Sequence, residues 1–282
     1  MGGRIGGNAN SALVLGGGGA TGMAWETGVL AAFEDLGVDL TNSDLIIGSS
    51  AGSFVASALL SRMGMVNFLE IQKRSPDAQL SAADVAVAYQ GWRHAFTEGG
   101  ADRIAVGRLL GQQSLAVARD HVAPNRRDLV RSWLVCDDWP ANLRVTAINA
   151  YSGELSLFGP SSGITLLEAV SASGAIPGLW PSVSLLGSRW IDGGMVSTTN
   201  ALQAGGAARI LILAPMPAPQ GKISGTYEDG EALSQNSEVT VVAADTEALS
   251  AMGTNIYDPT KRDIAFREGY RQGRTVSVNL NW

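Results

Sequence analysis

A hydroxyl set between glycines is the first feature of this sequence that can do chemistry. Gly-x-Ser-x-Gly marks a sharp turn that lifts a serine Oγ clear of a strand end. It occurs twice, as Gly48-Ser49-Ser50-Ala51-Gly52 and as Gly159-Pro160-Ser161-Ser162-Gly163. A chain with 35 glycines produces such matches by chance, so the flanking residues must decide between them. Ser50 follows the apolar run Leu45-Ile46-Ile47 and precedes a helical pattern over 53–62, the strand-turn-helix context such a serine needs. Ser161 follows an alternating segment and a Gly-Pro pair, which reads as surface turn chemistry. Ser50 is therefore the candidate nucleophile.

A second glycine cluster, Gly16-Gly17-Gly18-Gly19-Ala20-Thr21-Gly22, lies between an apolar run over 12–15 and a helical pattern over 23–36. Consecutive glycines leave amide N–H groups uncovered, and a helix N-terminus behind them adds positive potential. Gly17-x-Gly19-x-x-Gly22 matches a dinucleotide loop, but that fold wants an acid at the end of the second strand; here Asp44 stands at its beginning. A P-loop needs Lys after the last glycine, where this chain has Met23. An oxyanion hole needs only the amides, and a turn serving packing alone stays open.

A serine hydroxyl needs a base. His94 and His121 are the two histidines, both in helical stretches with charged neighbours and neither after a strand. Asp192, in Trp190-Ile191-Asp192-Gly193-Gly194, follows a short apolar run and can project from a strand end. An ordinary Asp-Gly turn has the same appearance. With one cysteine, Cys136, and two histidines, the chain itself holds neither a Cys-rich zinc site nor a three-His metal site. No calcium-loop pattern occurs, and no metal or other cofactor is expected.

In combination these residues resemble the patatin-like phospholipase family. Its glycine-rich loop, its G-x-S-x-G turn and its D-G-G/A motif are matched in order and spacing by Gly16 to Gly22, Gly48 to Gly52 and Asp192 to Gly194. Thr146 to Phe158 is similar to the family's strand pair and Ser173 to Pro181 to its A-S-x-A-x-P-x-x-F-P stretch. Asn200 falls where the family often has Asn. The resemblance covers roughly residues 12–214. It implies an α/β fold: a three-layer α/β/α sandwich with a mostly parallel central sheet and a helical insertion. It also implies a Ser50-Asp192 dyad without a catalytic His. The oxyanion hole would come from the amides of Gly17, Gly18, Gly19 and Ala51, with Gly16, Gly22, Gly48, Gly52, Gly193 and Gly194 supporting the motifs. The activity implied is hydrolysis of carboxylic esters of lipids or phospholipids. Acyl transfer on the same site and non-catalytic lipid or nucleotide binding are the alternatives. Thr21 stands where the family usually has Arg or Lys, which leaves open how the loop is anchored.

The elements that must position these groups are legible as well. Short apolar strands are expected at 12–15, 45–47, 210–213 and 239–242, and their alternation with helices argues for a covered parallel sheet. An antiparallel pair with one exposed face is expected over 143–150 and 154–158, turning at Ser152-Gly153. Helices are expected at 82–96, 106–118, 127–135, 166–173, 246–252 and 260–272, and a surface loop at 215–235. Residues 1–10 read as a flexible leader, 11–282 as one catalytic domain, and 63–140 as a helical insertion that shapes the substrate chamber.

Of the 282 residues, 45% are hydrophobic and 16% charged, with a net charge of −6. That excludes a largely disordered chain and gives no basic footprint for nucleic acid. The N-terminus lacks a signal-peptide pattern. The uncharged stretches 5–25, 45–61 and 169–188 are interrupted by Gly, Ser or Pro and do not read as membrane spans. A cytoplasmic location is expected, with transient contact at a membrane surface as a variant. Trp92, Trp133, Trp139 and Trp180 suit an interface or the core, and the core is preferred.

Overall fold

A computed structural model describes residues 9–75, 80, 82–116 and 126–276. The expectations for residues 1–8, 117–118 and His121 lie outside the described residues. Among these residues one sheet runs in the order β5-β6-β3-β2-β1-β7-β8, with β4 beside β3. The strands are β1 (Ser11–Leu15), β2 (Leu45–Gly48), β3 (Leu143–Asn149), β4 (Leu155–Phe158), β5 (Val183–Leu185), β6 (Ser188–Asp192), β7 (Arg209–Ala214) and β8 (Glu238–Ala243). The five strands from β3 to β8 along that path are mutually parallel, whereas β4 and β6 run antiparallel to β3.

The strands are apolar on both faces because both faces are covered. Alternate residues of a strand point to opposite sides. Leu13, Leu15 and Ile46 join a core with α1 (Gly19–Asp35), α2 (Ala51–Leu60) and α10 (Arg262–Val276). Ala12, Val14, Leu45 and Ile47 join a second core on the other face with Ala201, Ala204 and Leu233 of α8 (Thr226–Ser234). The result is a three-layer α/β/α sandwich. Helix α1 is buried along residues 21–33, as a helix that is apolar all round must be. No described helix is long and apolar enough to cross a membrane.

Between α2 and β3 lie α3 (Met65–Arg74), α4 (Ala82–Gly99), α5 (Arg103–Ala116) and α6 (Arg126–Trp133). Helices α4 and α5 bury Trp92, Val106 and Leu110 against Ile148 of β3 and Ile191 of β6 in a third core. Trp180 is buried there too, while Trp133 and Trp139 pack partly buried on the cores.

One topological detail brings distant sequence together. Val145 of β3 pairs with both Phe158 of β4 and Gly48 of β2, and Ala147 pairs with both Ser156 of β4 and Asp192 of β6. A strand has two edges, so with β4 along one, β2 and β6 share the other. Strand β6 takes over where β2 ends, and Asp192 therefore stands just beyond the Ser50 turn.

Several expectations need correction. Helix α1 begins at Gly19, inside the glycine cluster, because the Gly22 N–H already donates to the Gly18 carbonyl at 2.9 Å and the Thr21 N–H to the Ile256 carbonyl at 3.0 Å. The stretch 215–235 is not all loop: α8 forms within it, and Glu228 reaches back to accept the Gly225 N–H at 3.0 Å. Helix α3 and the short strand β5 carried no clear signal. The β3–β4 pair is antiparallel, but β3 is largely buried on both faces under α5 and α7 (Leu166–Ser173) rather than half exposed. Ala9 and Asn10, at the end of the expected leader, already accept N–H bonds from Ala208 and Arg209.

Candidate active site

Ser50 occupies the tight turn between β2 and α2 with φ +50 and ψ −119, a backbone region that non-glycine residues adopt only under strain. Its own N–H donates to Ser173 Oγ at 2.8 Å. Ser173 ends α7, a helix started by a capping box in which Thr165 Oγ1 accepts the Glu168 N–H and Glu168 accepts the Thr165 N–H. Below the turn, Ser49 Oγ accepts from Thr146 Oγ1 at 2.9 Å and from Asn200 Nδ2 at 2.8 Å, and Asn200 Nδ2 also donates to the Gly193 carbonyl at 2.9 Å. This buried network joins the serine turn, β3 and the Asp-Gly-Gly turn.

The geometry brings the two expected side chains into contact. Ser50 Oγ donates to Asp192 Oδ2 at 2.6 Å, and Asp192 Oδ1 accepts the Gly194 N–H at 2.7 Å. Asp192 is 3% exposed. Burial pushes its carboxyl up from 3.8 to about 7, against the hydrogen bonds from Ser50 and Gly194 and the charge of Arg126, all of which lower it. A group at that value exchanges a proton near neutral pH. His94 is exposed on α4, and Ser161 is exposed in the turn after β4.

The glycine loop lies against this pair. A Cβ on Gly17 would meet Ser50 Cβ at 3.2 Å, and one on Gly194 would meet Asp192 Oδ1 at 3.2 Å. The Gly17 N–H, however, donates to the Thr198 carbonyl at 2.7 Å, and the Gly16 N–H to Glu26 Oε1 at 2.7 Å. Gly17 is thus a spacer whose amide is already committed, which removes it from the expected oxyanion donors. The N–H groups of Gly18, Gly19 and Ala51 have no acceptor among the described residues. Gly19 has φ +61, which suits glycine at the first residue of α1. Gly18 and Gly22 fit against Pro215, at 2.8 and 2.9 Å from where their Cβ atoms would stand. A Cβ on Gly48 would strike Ser53, one on Gly52 the Leu15 carbonyl and one on Gly193 the Thr146 side chain.

Three supports had little or no sequence signal. Glu26 is fully buried in α1, and burial raises its carboxyl well above the ordinary value while the Gly16 N–H opposes the shift. A lone acid in an apolar helix was the available clue. Pro215 and Ile256 were the others; Ile256 accepts from both the N–H and Oγ1 of Thr21, at 3.0 and 3.4 Å. The loop is anchored at Thr21 by a carbonyl, where the family pattern has a basic side chain.

Two cavities meet at Ser50. The larger, about 320 Å³, is lined by Tyr89, Trp92, Phe96, Met195 and Met216 together with Gly17, Gly18, Gly19 and Asp192. The smaller, about 60 Å³, is lined by Phe54, Trp133, Trp180, Gln72, Arg126 and Arg262. Gly19, Ile176 and Tyr257 wall both. Helices α4 and α6 thus contribute to the space around the serine.

An α/β/α sandwich that gathers a glycine loop, a strained serine turn and an Asp-Gly-Gly turn at one sheet edge defines a class, and the family comparison agrees. The model described as patatin-like phospholipase matches residues 13–204, and the chain belongs to that family. No curated protein matches the chain. Among solved structures it is similar to VipD from Legionella pneumophila, with 13% identity, a TM-score of 0.45, and coverage of 95% of this chain and 66% of that one. It is similar also to the type III effector protein ExoU, with 15% identity, a TM-score of 0.44, and coverage of 94% and 52%. A third is the heterodimeric ExoU-SpcU complex of the Pseudomonas aeruginosa type III secretion system, with 19% identity, a TM-score of 0.44, and coverage of 94% and 50%. The chain thus spans between half and two thirds of these proteins.

Proposed function

We propose that this protein is a serine acyl hydrolase that cleaves lipid carboxylic esters with Ser50 as nucleophile and Asp192 as its base. The observation that carries the reading is the 2.6 Å hydrogen bond from Ser50 Oγ to a buried carboxylate at the junction of two largely apolar cavities. Ser50 Oγ attacks the ester carbonyl carbon as its proton passes to Asp192 Oδ2. The tetrahedral oxyanion is held by the N–H groups of Gly18, Gly19 and Ala51, the last of these at the N-terminus of α2. Collapse breaks the ester C–O bond, and the alcohol leaves with the proton from Asp192. Asp192 then takes a proton from water, whose oxygen attacks the acyl-Ser50 carbonyl carbon; collapse breaks the acyl–Oγ bond, Ser50 Oγ recovers the proton from Asp192, and the carboxylic acid leaves. Family membership supports lipid ester chemistry.

Hydrolysis of a panel of lipid esters by the wild type and by Ser50→Ala and Asp192→Asn tests this reading. Ser50→Ala is expected to lose turnover by about 10⁶-fold, and Asp192→Asn to be nearly as impaired. Ser50-independent hydrolysis, or full activity in Asp192→Asn, overturns it.

A further inference from the structure

Arg126 plays no part in the steps above, yet it lines the smaller cavity together with Ser50. Its Nη2 donates to the Gly174 carbonyl at 2.6 Å, and its guanidinium carbon lies 4.5 Å from the centroid of the Trp180 ring. These contacts fix the guanidinium plane but engage few of its five N–H donors. Among the described residues no carboxylate is within ion-pair distance of it; the charge it senses is that of Asp192. Burial draws its guanidinium down to about 10, which leaves it cationic at neutral pH.

Arg126 is half-buried, so its charge is partly withdrawn from water and favours an anionic partner. Here it faces a space open to a ligand. Arg262, held by contacts of its own, adds a second positive charge to the lining. The larger cavity also holds an arginine, Arg93, but that side chain is exposed to solvent.

We propose that Arg126 is a specificity-determining residue: it binds a phosphate oxyanion on the alcohol side of the substrate, and so selects anionic esters over neutral ones, while the acyl chain fills the larger cavity. The substrate assignment rests on the hydrolase reading; the charge selection at Arg126 can be measured without turnover. Hydrogen bonds to a charged group correspond to about 10- to 100-fold in affinity.

The test compares dodecanoyl lysophosphatidic acid with dodecanoyl glycerol, which share the acyl-glycerol ester and differ in the phosphate alone. Binding is measured by calorimetry in the Ser50→Ala protein, and kcat/KM in the protein that retains Ser50. The phosphorylated ester is expected to be preferred by about 10- to 100-fold in both. Arg126→Gln should abolish that ratio, and Arg126→Lys, which keeps the charge, should restore part of it. An unchanged ratio in Arg126→Gln, or no preference with Arg126 present, overturns the proposal. So does inorganic phosphate alone binding as tightly as the lysolipid, because the site would then hold free phosphate rather than a head group. If neither ester is hydrolysed but the binding preference depends on Arg126, the hydrolase reading fails and the anion site stands.

Discussion

In the proposed reaction Asp192 faces opposed demands: it must be ionised to take the Ser50 proton, yet burial resists its charge. Its carboxyl rises from 3.8 to about 7 in the folded chain, so the stability it contributes is complete below the unfolded value and is lost as pH rises through about 7. Asp192→Asn escapes that cost. Its melting temperature relative to wild type should climb between pH 5 and pH 8, within a ceiling of about 4 kcal/mol across the full window; thermal melts at the two pH values check this. The same titration sets the rate, and kcat/KM should rise with pH with a midpoint near 7. Ser50 carries strain of another kind. At φ +50 and ψ −119 glycine is at ease and alanine is not, so Ser50→Gly should be more stable than Ser50→Ala by about 1 kcal/mol, measured by denaturant titration, with both inactive. The pair itself was legible because its residue types, order and spacing are particular. The commitment of the Gly17 amide to Thr198 was not, because no local pattern announces which carbonyl will reach a glycine.

At the scale of elements, the site depends on how closely backbones approach. Gly52, the second residue of α2, packs against the end of β1, and a Cβ there would enter the Leu15 carbonyl. Helix propensity alone would favour Gly52→Ala; sterics reverse the sign, and the variant should lose about 2–3 kcal/mol and part of its activity, as judged by melting and ester hydrolysis. Gly269 of α10 sits just as tightly on the Trp25 carbonyl of α1, so Gly269→Ala should destabilise the chain without altering the substrate ratio. The buried strands β1, β2, β7 and β8 were readable as short apolar runs between turns, and α7 as a helical segment over 166–173. Helix α1 was read as starting late because four glycines look like loop; its true start is fixed by burial and by the Ile256 carbonyl. Strand β5 has three residues, too few for a period to show.

Across the whole molecule, the family match ends at residue 204, but the site does not. Pro215 presses on the glycine loop, Ile256 anchors Thr21, and Tyr257 walls both cavities. None of these was visible in the motifs, because each acts through a fold contact formed by chain far downstream. The crossing of β2 and β6 on one edge of β3 is of the same kind: it places Asp192 beside Ser50 across 142 residues of sequence. In the proposed reaction this convergence makes Ser50 a nucleophile. Mass-spectrometric mapping of the adduct formed with a fluorophosphonate ester analogue puts that role to the test. A single adduct on the peptide carrying Ser50, lost in Ser50→Ala, is the predicted result; labelling at Ser161, or ester hydrolysis that continues with Ser50 unlabelled, would contradict it.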